Sequence, residues 1–375
     1  MQSRPRNLVT VINQQRVVMT ITKNKKGTGQ GSPILRKGSG FIMKKTLLAL
    51  VVAAASTSAF ANVDTQNSKP EFEFDPMHKD QFSVSGAIGV GGYYDTKSKA
   101  LYDDWATAVT VATIYQNNRL RGYLEIDLEM NYSTDESKQP IQSGPATDVD
   151  KAWLGYETDF GLVSFGWEND TALDKVDGAG DTTYEFGSSA GDTSDAFNVI
   201  KFEGKASAFA YGVSTFETDD DREKAETGYN GYFGVEQETF NVYAGYETRE
   251  NGKEDEEIVS LSGNVNLGAA TLGANFWVND LETSTNTGKT ETGYYLSGSY
   301  PVTEQLTLAA GYNAVSTDSQ VAGTADVDMS RVNIAAMYTL NDRVDMGIDI
   351  LQDVDTGDSS KDEETYVFAA AFYSF

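Results

Sequence analysis

From Phe82 onward the chain alternates apolar and polar residues with a period of two, and the alternation hardly stops. In 119–132 the odd positions are Arg119, Arg121, Tyr123, Glu125, Asp127, Glu129 and Asn131. The even positions are Leu120, Gly122, Leu124, Ile126, Leu128, Met130 and Tyr132. A strand sends two such sets to opposite faces, one polar and one apolar. Applied along the chain, the same reading predicts strands over 82–94, 105–116, 119–132, 148–158, 161–169, 196–204, 207–218 and 227–237. It continues with 240–250, 256–268, 270–282, 291–302, 305–317, 328–340, 343–354 and 363–375, sixteen in all.

The connections between these strands alternate in length. The short set is Asn117-Asn118, Asp159-Phe160, Lys205-Ala206, Glu238-Thr239, Ala269, Thr303-Glu304 and Asn341-Asp342. The long set is 95–104, 133–147, 170–195, 219–226, 251–255, 283–290, 318–327 and 355–362. A soluble sandwich has no reason to sort its loops by parity, whereas a transmembrane barrel has short turns on one side and long loops on the other. Such a sheet must also close, because hydrocarbon leaves an open edge unpaired. The expected fold is therefore all-β: an antiparallel sixteen-stranded transmembrane barrel with short periplasmic turns and long extracellular loops. Its apolar parity faces lipid and its polar parity faces water. Tyr132, Tyr156, Tyr246, Phe276, Tyr300, Tyr312, Tyr338 and Tyr373 are candidates for interfacial aromatic girdles. Tyr123, Trp153, Tyr243, Trp277 and Tyr295 are the expected inward aromatics.

The first 61 residues read differently. Residues 1–42 hold eight basic side chains and no acid, show no period, and are expected to be an extension ahead of a true start at Met43. Met43-Lys44-Lys45, the apolar run Thr46–Ala55 and the small residues Ala59 and Ala61 around Phe60 have the layout of a secretory signal peptide cleaved after Ala61. A membrane anchor is the alternative, disfavoured because the apolar run is too short to span a bilayer. Residues 62–80 follow as a polar periplasmic lead with Pro70 and Pro76, and 81–375 form the barrel domain.

Composition then removes whole classes of function. The formal charge is −27, from 29 basic and 56 acidic residues. Cleavage removes ten basic residues and no acid, leaving 19 against 56, or −37. Such a chain repels a phosphate backbone, so no nucleic-acid partner is expected. With no Cys there is neither a disulfide framework nor a thiolate site. The single His, His78, precedes the first strand, so no wall triad or dyad can form and no enzymatic activity is expected. No cofactor or metal site is expected either. The runs Asp219-Asp220-Asp221 and Glu254-Asp255-Glu256 lack a defined ligand spacing and read as surface acids bridged to lipopolysaccharide by diffuse divalent ions.

Three stretches carry a family resemblance. The C-terminus, Thr365 to Phe375, places Val367, Ala369, Ala371 and Tyr373 on the parity of the terminal Phe375. In this it resembles the assembly signal of Gram-negative outer-membrane barrels, which implies recognition of Tyr373 and Phe375 by the barrel-assembly machinery. Its other face, with Phe368 and Phe372, is apolar for a water-lining surface and suits packing against an inserted loop or the lead. The stretch 151–166 resembles the hairpin before the third loop of the general-porin family, and Asn198–Phe202 resembles the strand after that loop. One departure is Trp167, followed by Glu168, where the family has a basic residue after Gly166. The resemblance implies a homotrimer of water-filled barrels, each with loop 170–195 folded inward to narrow the pore.

That loop holds Asp170, Asp174, Asp177, Asp181, Glu185, Asp192 and Asp195 against Lys175. In the lumen these acids would focus a field that favours cations; on the outer surface they would simply be solvated. By parity the wall directs Arg119, Arg121, Lys151, Lys201, Arg249 and Arg331 inward. The resemblance implies that a basic cluster, best supplied by Arg119, Arg121, Lys151 and Lys201, opposes the acidic loop. The alternative is that these residues pair with Glu125, Glu157 or Glu203 as wall salt bridges. The expected function is passive diffusion of small hydrophilic solutes and ions, with a preference for cations. The runner-up is a substrate-specific channel, for oligosaccharides for example, of the same architecture.

Overall fold

The computed structural model describes residues 80–139, 141–219, 225–251, 254–281, 289–319 and 326–375. The extension, the signal peptide with Ala59 and Ala61, residues 62–79 with His78, and Asp220 and Asp221 lie outside the described residues.

Seventeen strands are present among the described residues. They are β1 Gln81–Asp95, β2 Ala100–Asp103, β3 Ala108–Asn117, β4 Leu120–Ser133, β5 Gly144–Glu157, β6 Leu162–Asp170, β7 Asp195–Ala206, β8 Phe209–Glu217 and β9 Thr227–Glu236. The remainder are β10 Phe240–Asn251, β11 Glu254–Leu267, β12 Ala270–Leu281, β13 Lys289–Pro301, β14 Leu306–Ser319, β15 Val327–Asn341, β16 Val344–Asp355 and β17 Thr365–Ser374. Sixteen of them, β1 and β3 to β17, are the staves of one closed antiparallel barrel. β2 is a four-residue piece of the first loop, paired to the ends of β1 and β4. The seam runs from Ala87↔Ser374 to Asp95↔Tyr366, and Gly86 and Phe375 exchange both backbone hydrogen bonds at 3.1 and 3.0 Å. Closure leaves no stave with an edge, as hydrocarbon requires.

The two faces separate as the period-two pattern dictates. On β4, Leu120, Leu124, Leu128 and Met130 are exposed, while Glu125, Asp127 and Glu129 are buried inside. Of the girdle candidates, Tyr156, Tyr246, Phe276, Tyr300, Tyr312 and Tyr373 are exposed on the outer face. Tyr132 and Tyr338 are half-buried, Tyr132 donating to the Gly91 carbonyl at 3.1 Å. Phe375 is exposed.

Three local departures have physical causes. Residues 105–107, expected within a strand, form a bend because the Asp103 carboxylate accepts the backbone N–H of Ala106 at 2.9 Å and of Thr107 at 2.6 Å. This local capture competes with the ladder and turns Trp105 into the barrel. The expected loop 251–255 is instead nearly all strand, with β10 continuing to Asn251 and β11 starting at Glu254. On β5, Lys151 opposes Glu125 and Val149 opposes Ile126, so Asp150 is the extra residue of a bulge. Asp150 and Lys151 are consequently both buried within the wall.

The outward apolar belt generates a test. Ile334, at the middle of β15, is 65% exposed. Ile334→Lys is expected to destabilise the bilayer-inserted barrel by about 2–4 kcal/mol, read as a lower denaturant midpoint for folding into lipid vesicles.

Candidate pore constriction

The third loop leaves β6 at Asp170 and returns through β7 at Asp195, two residues paired in register. Its neck is pinned by Thr171, which donates N–H to the Ser194 carbonyl and Oγ1–H to the Thr193 carbonyl, both at 2.6 Å. Between these ends the loop turns into the lumen. It forms the one-turn helix α1, Asp174–Asp177, and a 3-10 turn, Gly178–Gly180. Leu173, Val176 and Ala179 give this arm an apolar side that packs on Ala210, Tyr232 and Tyr243 of the wall. The backbone of Gly180 approaches so closely that a Cβ there would lie 2.3 Å from the Ala274 carbonyl oxygen, so only glycine fits.

An irregular segment at membrane depth must find its hydrogen bonds in the protein. The wall supplies them stave by stave. Asn264 donates to the Ala179 carbonyl at 2.9 Å, and Asn275 donates to the carbonyls of Asp177 and Ser188 at 3.2 and 2.8 Å. The Ser297 hydroxyl donates to the Gly180 carbonyl at 2.8 Å and accepts the Thr182 N–H at 3.1 Å. At the tip, Asp349 accepts three successive N–H groups, from Tyr184, Glu185 and Phe186, at 3.3, 2.9 and 3.0 Å. Asn333 donates to both oxygens of the same carboxylate. Tyr184 reaches the seam, donating to the Ala370 carbonyl and packing 5.8 Å from the Phe368 ring. Phe368 in turn stacks on Trp105 at 5.5 Å, so the apolar inner face of β17 is covered by the first and third loops. On the return, Ala190 packs with Ile258, Trp277, Tyr295 and Val315. Thr193 then donates its N–H to Glu247 and its hydroxyl accepts from Arg249 at 2.7 Å.

The acids of the loop divide by environment. Asp170 pairs with Lys151 at 2.6 Å. Asp174 and Glu185 are half-buried, and the Tyr93 hydroxyl donates to Glu185. Asp181 is buried and accepts the N–H and hydroxyl of Thr183, both at 2.9 Å, so it shapes the loop from within. Asp177 and Asp192 are buried side by side on opposite arms. Burial pushes the Asp177 carboxyl up to about 6, and burial together with the neighbouring Asp177 charge holds Asp192 well above the usual carboxylate range.

The six basic side chains that parity directs inward are each engaged with a carboxylate. Arg119 pairs with Asp159 at 2.6 Å and Arg121 with Glu157, at the short-turn end of the barrel. Neither of these two is brought to the loop. Lys201 pairs with Glu203 at 3.3 Å, Arg331 with Asp353 at 2.8 Å, and Arg249 with Glu256 at 2.8 Å. Lys151 and Lys201 flank the loop's own neck instead of facing it across the lumen. Trp167 is exposed on the outer wall, and Glu168 beside it is buried inside. The residues that hold the loop, Glu247, Asn275, Ser297, Asn333 and Asp349, had no motif to announce them. Their signal was inward parity combined with short polar side chains on β10 to β16.

Asp349→Ala would leave three N–H groups of the loop tip without their acceptor, a loss of about 1–3 kcal/mol per unsatisfied group. The expected outcome is a lower unfolding temperature with larger current noise in single-channel recordings, while Asp349→Asn retains part of the anchoring.

With this geometry in view, known proteins give a consistent likeness. The profile of the Gram-negative porin family matches residues 47–358. No curated protein is similar at a significant level. Among solved structures, OmpF of Salmonella typhi in complex with daunomycin superposes with a TM-score of 0.62 at 15% identity, covering 78% of this chain and 97% of that one. The loop L8 deletion mutant of OmpT, an outer-membrane protein of Vibrio cholerae, gives 0.61 at 17%, covering 79% and 99%. The anion-selective porin from Comamonas acidovorans gives 0.59 at 14%, covering 79% and 100%. At such identities the structures speak for the fold, and the profile, spanning most of the sequence, for descent: the chain belongs to the Gram-negative porin family.

Proposed function

We infer that this porin is a non-enzymatic diffusion channel of the outer membrane, exported by the signal peptide 43–61 and assembled as a homotrimer through its C-terminal Tyr373 and Phe375. It passes small hydrophilic solutes and ions and prefers cations. The observation that carries this reading is the imbalance of charge around the loop neck. Glu125, Asp127, Glu129, Asp150, Glu168, Asp170 and Asp195 point inward from β4 to β7, against Lys151 and Lys201. Asp174 and Glu185 add two half-buried acids from the loop itself. A negative excess between low-dielectric walls concentrates cations and repels anions. Lys151 moderates the field through Asp170, and Arg119 and Arg121 act at the periplasmic mouth. Lipopolysaccharide meets the outer loops, and no cofactor takes part.

The inner aromatics argue against the substrate-specific alternative. Tyr93, Trp105, Phe368 and Phe372 pack on one another beneath the loop tip with at most 7% exposure, so they form a core and not a slide along the lumen. Planar-bilayer recording in a salt gradient tests the proposal. A reversal potential of cationic sign is expected, and Asp174→Asn combined with Glu185→Gln should reduce the cation-to-anion permeability ratio about twofold to tenfold. Anion preference in the unmodified protein, or block of the current by one sugar at low concentration, would overturn it.

A further inference from the structure

The two arms of the third loop meet at a pair of acids. Asp177 ends α1 on the descending arm and Asp192 lies on the returning arm, and the two are 2 and 5% exposed. Their side chains are hydrogen-bonded to each other, and the Ser189 hydroxyl, also on the returning arm, donates to Asp177. The wall holds the arms through Asn264, Asn275 and Ser297, whereas the acid pair joins arm to arm. A carboxylate only accepts hydrogen bonds, so a bond between two carboxyl groups requires a proton on one of them. Without that proton, two like charges would stand in contact inside a site shielded from water.

The groups that face the pair favour keeping the proton. Asp174 faces Asp177 from its own helix, and Glu247 adds a second acid from β10. Arg249, also on β10, is the cation that faces Asp192, but it is committed to Glu247 and Glu256. β11 and β12 face Asp177 with Ser260, Ser262, Asn275 and Trp277, none of which ionises. Burial, followed by the neighbouring acids, holds both carboxyls above the usual range, with Asp177 at about 6. For acids raised in this way the joined arrangement is most stable below the ordinary carboxylate range. It weakens as the pH climbs through the raised values.

We propose that Asp177 and Asp192 share a proton and form a latch between the two arms of the third loop, closed while one carboxyl is protonated and released when both ionise in alkaline solution. Release lets the arms part and the loop move within the lumen, while the neck at Thr171 and the wall contacts keep it in place. The proposal does not depend on the sign of the ion selectivity, and the diffusion reading can stand or fall without it.

Two measurements on the full-length protein test this. Single-channel recordings in planar bilayers, between about pH 5 and about pH 9, span the ionisation of the pair. Open-channel noise of the unmodified protein should grow with pH, the released population rising at most about tenfold per pH unit for each proton lost. Asp192→Asn offers Asp177 an amide donor at every pH, so its noise should stay low throughout. Asp177→Ala removes the latch, so its noise should be high throughout. Infrared spectroscopy of the detergent-solubilised protein reads the proton directly. At neutral pH, the spectrum of the unmodified protein minus that of Asp192→Asn should contain the carbonyl band of a protonated carboxyl. Noise that does not change with pH, the same alkaline rise in Asp192→Asn, or no such band in the difference spectrum would each overturn the latch. Should Asp192→Asn not fold, Asp177→Asn takes its place in both measurements, since an amide on either arm completes the pair.

Discussion

Hydrocarbon offers no hydrogen bonds, and this one constraint orders the whole molecule. It closes the sheet, because each stave needs a neighbour on both sides, and the seam of β1 with β17 meets that need across nearly the full chain. It also governs the third loop, whose backbone has no ladder and lies at the depth of the membrane. Every turn of that loop is matched by a wall residue, from Glu247 on β10 to Asp349 on β16. The interior is therefore two surfaces of different chemistry. One is a bed of Asn, Ser, Gly and aromatic side chains that the loop lies on. The other, from β4 to β7, is crowded with carboxylates.

This division explains why charge alone does not describe the lumen. A transverse field of opposed clusters would need free basic groups across from the loop. The basic side chains expected to oppose the loop are instead neutralised locally: Lys151 by Asp170, Arg121 by Glu157, Lys201 by Glu203. What remains is an excess of acidic side chains on the neck side, in place of two facing arrays of opposite charge. The bulge at Asp150 contributes to it by turning two consecutive side chains inward, where a regular strand would turn one.

The staves were legible because period-two alternation is enforced at every residue by two different solvents. The limits of β4, β10 and β17 fall within two residues of those expected from the pattern. The bend at 105–107 was not legible, because it depends on Asp103 capturing backbone N–H groups, a choice no periodicity records. For the site, the position of the loop and its load of acid could be read, but the fate of each acid could not. Asp181 and Asp174 lie seven residues apart with the same side chain, yet one is buried within the loop and the other half-exposed. Parity tells which side of the wall a residue faces; it does not tell whether water or a loop waits there. The family's motif around Gly166 was also a poor guide to charge, since Trp167 points away from the lumen.

The seam has a temporal consequence. Ala87 and Ser374 are joined in the finished wall yet lie at the two extremes of the barrel sequence. Loop-closure entropy grows with the separation of the ends, and contacts of such range form slowly. Until they form, two unpaired strand margins remain open to any other chain that can extend them. Whatever keeps newly made copies from zipping together, in transit or at the membrane, has to shield β1 and β17 until they find each other.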